Sequence, residues 1–100
     1  MVREEVQAFV DLGPFPPEDV IGQDDIEERD RRLNLITAPL TDEEAILLLN
    51  SFGPDDCYGM AWTVLHLIET SPTSAVLSEP PPDANEWLIR LWKRYQNSLE

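Results

Sequence analysis

Apolar residues recur with the period of an α-helix along most of the chain, and the pattern is strongest between Asp56 and Thr70. In that segment only Thr63, His66 and Glu69 interrupt residues that are apolar on nearly every side. A helix of this kind is buried, because other elements must cover it on several sides. At about 15 residues it is shorter than the ~20 residues that span a bilayer. We therefore predict a central core helix.

Four more segments show amphipathic patterns that predict helices: residues 2–12, 24–37, 41–52 and 83–95. Thr41 and Glu44 form a capping box, in which each residue's side chain accepts from the other's backbone N–H. Asp83 with Glu86 is an acidic variant of the same signal. Asp55 or Asp56 is expected to cap the central helix, since acidic side chains stabilise helix N-termini.

The connections between these segments predict how the helices pack. Only Gly53 to Asp55 separate the third helix from the central one, so these two helices should form an antiparallel hairpin. In the two long loops, apolar residues should hold the chain against the core: Phe15, Val20 and Ile21 in one, and Ala75, Val76 and Leu77 in the other. No strand-type alternation occurs. We predict a single all-α domain over residues 1–100, a compact bundle of four to five helices with HEAT-like helical hairpins possible.

The chain is strongly acidic, with a net charge of −13 and a pI near 4.2. Such a protein repels nucleic-acid phosphates and anionic membrane surfaces, but it attracts basic proteins. Its one cysteine cannot form an internal disulfide, and the first residues do not match a signal peptide. A cytoplasmic protein is therefore expected, and solubility alone is an alternative explanation for the acidity.

The acidic residues occur in blocks, and residues 33–89 contain nine of them without any Lys or Arg. Helix capping accounts for some of these carboxylates but not for so many. We predict that an acidic face binds a basic protein, with one aromatic residue exposed as an anchor. The predicted partner-binding residues are Asp24, Asp25, Glu27, Glu28, Asp42, Glu43, Asp55, Asp56, Tyr58 and Trp92.

Candidate catalytic or metal-binding residues are few. His66 is the only histidine, and within an apolar segment it is best explained as a core or boundary residue with a hydrogen-bond partner. Cys57 lies beside two carboxylates that oppose thiolate formation. The Asp24 region lacks the ligand spacing of a calcium loop, and no glycine-rich phosphate loop occurs. We therefore predict no catalytic residue, cofactor or metal site, and a protein that is not an enzyme.

The segment GPDDCYGMAWTVLHLIET, together with size, charge and helical class, resembles the small acidic immunity proteins of bacterial competition systems. The resemblance implies a cytoplasmic protein that occupies and neutralises a basic toxin. Two other hypotheses remain open at this point. The chain could imitate nucleic acid and inhibit a DNA-binding protein, or it could be a structural subunit that forms a homo-oligomer through an exposed tryptophan.

Overall fold

The computed structural model describes residues 2–72 and 79–98, and every regular element within these ranges is helical. The helices are α1 (Glu4–Val10), α2 (Gln23–Asn34), α3 (Asp42–Leu48), α4 (Met60–Ile68) and α5 (Glu86–Ser98). A short 3₁₀ helix, Leu49–Ser51, continues α3. The all-α fold is confirmed. The predicted loop anchors Ala75, Val76 and Leu77 lie outside the described residues.

The buried apolar side chains form one hydrophobic core, to which all five helices contribute. Successive helices pack as pairs, α1 with α2 and α3 with α4, while α5 packs on α4. The packing of α3 on α4 agrees with the predicted pairing of these two helices, but residues 52–59 connect them and not the predicted Gly53 to Asp55. In the first long loop, Phe15 is buried and Ile21 packs against the core as predicted, whereas Val20 is 70% exposed.

The predicted capping box at α3 is confirmed. The backbone N–H of Glu44 donates to the Thr41 hydroxyl at 3.2 Å, and the Thr41 N–H donates to the Glu44 carboxylate at 2.9 Å. Glu44 is also fully buried, and Arg3 reaches its carboxylate through both its backbone N–H and its guanidinium. Arg3 donates further to the hydroxyl and carbonyl of Thr37. The capping carboxylate therefore also fixes the start of α1.

The second buried charged residue is Arg29, in the charged segment of α2, although an amphipathic pattern leads us to expect charged residues on the exposed side. Its guanidinium donates to the carbonyl oxygens of Leu12 and Gly13 and to the carboxylate of Asp25. It also lies 5.5 Å from the centroid of the Phe15 ring. Arg29 is buried because it satisfies backbone carbonyls at the end of α1, which a sequence pattern does not reveal.

The prediction that α4 is buried on every side is wrong. Its buried residues are Met60, Ala61, Val64, Leu65 and Ile68. Trp62, Thr63 and His66 are exposed, so the expected core or boundary position of His66 is also wrong. The helix lies against the core along one stripe, and its other side is open because α3 and α5 do not surround it.

Both predicted carboxylate caps at the last two helices are wrong. The residue that precedes α4 is Gly59, whose φ of +90° lies in the left-handed region that glycine adopts most readily. At α5 the side-chain oxygen of Asn85 accepts from the Trp87 N–H at 2.8 Å, and its amide donates to the Gly53 carbonyl. Asn85 therefore connects the start of α5 to the end of the α3 segment.

None of the helices in the described ranges combines the length and the apolar character that a bilayer span requires.

Candidate functional site

Two loops meet at the start of α4 and are joined by three hydrogen bonds, and a fourth lies within the second loop. The Asp55 carboxylate accepts from the backbone N–H of Glu18 at 3.0 Å and of Cys57 at 3.1 Å. The Glu18 carboxylate in turn accepts from the Tyr58 N–H at 2.9 Å, and the Tyr58 hydroxyl donates to the Glu18 carbonyl at 3.1 Å. These reciprocal bonds fix the turn that leads into α4.

The backbone of this turn is in an uncommon conformation. Cys57 and Tyr58 have φ values of +46° and +57°, which side chains with a Cβ rarely adopt. Such strain persists only where surrounding contacts over-determine it, and the bonds from Glu18 and Asp55 do so here. As a result the Cys57 side chain points into the core, while Tyr58 is 63% exposed.

The electrostatics of the turn are dominated by carboxylates. The hydrogen bond between the Glu18 and Asp56 carboxyl groups raises the pKa of Glu18 above its usual range, while the bond from the Tyr58 N–H acts in the opposite direction. Burial raises the pKa of the Cys57 thiol, and the charge of Asp55 adds to this effect. A buried thiol with a raised pKa is a poor nucleophile, because the thiolate is the reactive form.

A cluster of aromatic side chains contacts the turn through Trp87. The indole N–H of the buried Trp87 donates to the Asp55 carbonyl at 3.1 Å. Its ring stacks on Phe52 at 5.8 Å and meets Trp62 edge-on at 5.1 Å. The Arg90 guanidinium lies 4.5 Å from the Trp87 ring and 5.0 Å from the Trp62 ring. Trp62 is 37% exposed and forms the outer edge of the cluster.

The two loops that meet before α4, together with the first turn of that helix, carry both exposed apolar side chains and carboxylates. Val20 follows Glu18 in the loop, and Trp62 follows Tyr58 in the chain by four residues. We call this region the Tyr58 surface, and it consists of Glu18, Asp19, Val20, Asp56, Tyr58 and Trp62. An apolar centre with a polar rim is the usual anatomy of a protein–protein interface.

The structure brings together only part of the predicted partner-binding set. Asp55, Asp56 and Tyr58 lie together, although both carboxylate oxygens of Asp55 accept hydrogen bonds within the site. Asp42 and Glu43 lie in the first turn of α3. Asp55 instead follows the 3₁₀ extension at the other end of that helical segment. The predicted acidic face is therefore two separate acidic regions.

The predicted residues on α2 are mostly engaged within that helix. Asp25 pairs with Arg29, and Glu28 pairs with Arg31 and Arg32, which lowers the pKa of Glu28. The Glu27 carboxylate accepts from the side-chain amide of Gln23. Asp24 is exposed in the first turn of α2.

Of the two tryptophans in α5, Trp87 is buried and Trp92 is half-buried. Trp92 lines a surface groove of about 480 Å³ with Ile89, Lys93 and residues 79–82. The more exposed indole belongs to Trp62 in the Tyr58 surface, within the helix that was predicted to be buried. The acidic pair Glu18-Asp19 is visible in the sequence as a charge block, but nothing local predicts its contact with Tyr58.

Among residues 2–72 and 79–98, no group of three or more His, Cys, Asp or Glu side chains is arranged to hold a metal ion. No protein-family model matches the chain, and no curated protein or solved structure matches it either.

Proposed function

We propose that this protein is a non-enzymatic binding protein whose Tyr58 surface docks onto a basic cytoplasmic protein. One observation carries the proposal: exposed Tyr58 bonds to Glu18, whose carboxyl group meets that of Asp56, in a chain of net charge −13. Val20 is exposed two residues after Glu18, and exposed Trp62 packs on Trp87, which bonds to Asp55. Aromatic side chains supply much of the binding energy at interfaces, while surrounding charges select the partner and accelerate association.

The distribution of positive charge supports the same proposal. Five of the arginines pair with carboxylates of this chain: Arg3, Arg29, Arg31, Arg32 and Arg94. The remaining acidic residues leave a strongly negative field, which raises the local concentration of a basic protein and its association rate at low salt. The rigid turn adds to affinity, because a pre-organised surface loses little entropy on binding.

We further propose that the basic partner is a toxin, and that this protein neutralises it as the immunity proteins that it resembles do. Occupation of a toxin's basic substrate-binding surface would block the toxin without any chemistry. This part of the proposal rests on size, charge, helical class and the segment GPDDCYGMAWTVLHLIET.

The test begins with capture of partners from native lysate on the immobilised protein, followed by elution with a salt gradient and identification by mass. The captured protein is then measured against the triple variant E18Q/D19N/D56N. We expect its association rate to fall by about tenfold or more at low salt, because steering depends on these charges. Co-expression should also relieve growth inhibition by the captured protein.

The control is E4Q/D42N/E43Q, which removes the same formal charge at the opposite end of α3. We expect this variant to retain most of the association rate of the wild type. Equal losses in the two variants would show that net charge alone attracts the partner and would contradict a specific Tyr58 surface. A captured protein whose binding is independent of salt would contradict the electrostatic mechanism.

A further inference from the structure

Arg90 differs from the other arginines in its contacts. The other five pair with carboxylates, whereas the Arg90 guanidinium lies over the Trp62 and Trp87 rings. Within the described ranges, no ion pair joins Arg90 to a carboxylate. In a chain with 20 acidic residues, this guanidinium remains available to an external anion.

The position of the two rings determines which part of Arg90 a ligand can reach. The rings are nearly perpendicular and their centroids lie only 5.1 Å apart, so both lie on the same side of the guanidinium and leave N–H groups along its edge for hydrogen bonding. Two N–H groups along one edge of a guanidinium can donate two parallel hydrogen bonds to the two oxygens of a carboxylate. Contact with the two rings also restricts the Arg90 side chain before binding. Arg90 therefore loses less conformational entropy when a ligand binds.

We propose that Arg90 receives an Asp or Glu carboxylate of the basic partner when that partner docks on the Tyr58 surface. The inference rests on the proposed function and specifies the charge pattern of the partner. Trp87 links the two parts of the surface, because its indole donates to Asp55 while its ring lies beneath Arg90. The partner therefore presents basic side chains to Glu18 and Asp56, with an acidic side chain next to them.

This pattern provides selectivity that an acidic surface alone lacks. A uniformly acidic face attracts every basic protein, whereas one cation within it repels a partner that is basic throughout. A partner with one carboxylate opposite Arg90 forms a charge-assisted hydrogen bond with it, and the repulsion does not arise. A highly charged anion such as a phosphate is disfavoured, because the field of the whole chain opposes it.

Random peptides displayed on phage test the proposal before the natural partner is identified. We expect the wild-type protein to enrich peptides that contain Lys or Arg together with an Asp or Glu at a constant spacing. The selected peptide and its counterpart with Gln at the acidic position are then synthesised. On the wild-type protein, this replacement should raise Kd by about tenfold, which is typical of a lost charge-assisted hydrogen bond.

The same two peptides are measured on three variants. R90M retains an apolar chain over the indoles but lacks the charge, so the two peptides should bind it with equal affinity. R90K should show an intermediate difference, because lysine lacks the planar fork. K93M removes one positive charge from the exposed side of the same helix and should behave as the wild type. Tryptophan side-chain NMR signals report whether each variant retains the aromatic cluster.

The outcomes separate this inference from the proposed function. Enrichment of basic peptides without an acidic position would overturn the role of Arg90 and leave the acidic docking surface intact. Peptides with an Arg90-dependent acidic residue but no basic residues would support the carboxylate site and contradict docking of a basic partner. An equal effect of the Gln replacement on the wild type and R90M would overturn the inference.

Discussion

The indole N–H of Trp87 donates to the carbonyl oxygen of Asp55 at 3.1 Å, across 32 residues of sequence. Trp87 is 1% exposed and stacks on Phe52, so it belongs to the hydrophobic core. Asp55 belongs to the turn that presents Tyr58. This one hydrogen bond therefore connects the packing of the core with the position of the candidate docking surface.

Replacement of Trp87 by Phe should destabilise the protein by about 2–3 kcal/mol, because it removes this hydrogen bond and leaves part of the indole volume empty. Urea denaturation followed by circular dichroism measures the change. Trp92→Phe is the matched control and should cost less than about 1 kcal/mol, since Trp92 is only half-buried. Equal losses in the two variants would contradict the structural role assigned to Trp87.

Gly53→Ala should be severely destabilising. A Cβ at this position would lie 2.1 Å from the carbonyl oxygen of Phe15, which is backbone and cannot move without disturbing the loop. We expect a loss of roughly 3 kcal/mol or more in unfolding free energy. Gly22→Ala is the control, because nothing lies within 4 Å of its Cβ position. Its effect should stay within about 1 kcal/mol by the same urea measurement.

Glu44 should make stability depend on acid pH. Burial opposes its ionisation, but hydrogen bonds from the Arg3 side chain and from the Thr41 and Arg3 backbone outweigh burial and lower its pKa to about 2. The folded-state pKa lies below the unfolded value, so the contribution of Glu44 is present above about pH 4.5 and is lost as the pH falls toward about 2.

The Glu44→Gln variant should therefore show a shallower loss of stability in acid than the wild type. At neutral pH we expect it to be less stable by about 2 kcal/mol, since Arg3 then faces a neutral acceptor. Urea denaturation over this pH range provides the measurement. Glu4→Gln, an exposed neighbour on α1, should follow the wild-type curve. Parallel curves for Glu44→Gln and the wild type would show that Glu44 does not carry this dependence.

Glu18 should produce the opposite pH dependence. Its pKa is raised chiefly by the hydrogen bond with the Asp56 carboxyl group, so the folded protein holds this proton more tightly than the unfolded chain does. The stabilisation is then complete below the unfolded pKa, and it is lost as the pH rises through the higher folded pKa. Above that pH two carboxylates face each other in the turn.

Glu18→Gln keeps an acceptor for the Tyr58 N–H and removes this repulsion. The stability of the variant relative to the wild type should therefore increase as the pH is raised above the unfolded pKa of Glu18. Asp30→Asn on the exposed side of α2 is the control and should show no such trend. Carboxyl NMR signals provide a second measurement, and a Glu18 pKa at or below the usual range would contradict this account.

The sequence predicts the structure correctly where the determining interactions are local. The capping box joins Thr41 and Glu44, which are three positions apart, and both of its hydrogen bonds are present. The helical period of residues 83–95 likewise predicts a helix, and α5 (Glu86–Ser98) is observed there with Trp87 and Leu91 buried on one side. In these cases each residue's partner lies within one or two helical turns, so the pattern contains the needed information.

The sequence does not predict contacts whose two residues are distant in the chain. Asp55 resembles a helix cap, but its carboxylate binds the backbone of Glu18, 37 residues earlier. That contact and the left-handed turn delay the start of α4 to Met60. Trp62 therefore lies at the first turn of the helix, at the edge of the core instead of inside it. The Tyr58 surface follows from these distant contacts and has no local sequence signal.

The contacts of Arg3 have a practical consequence for studying binding. Arg3 is held at the Thr41 end of α3 by Glu44 and Thr37, whereas the Tyr58 surface lies beyond the other end of that helix segment. A linker attached ahead of Arg3 would therefore leave the molecule on the side away from the surface. On a sensor chip, such a tether would orient every molecule with the candidate docking surface toward the flowing solution.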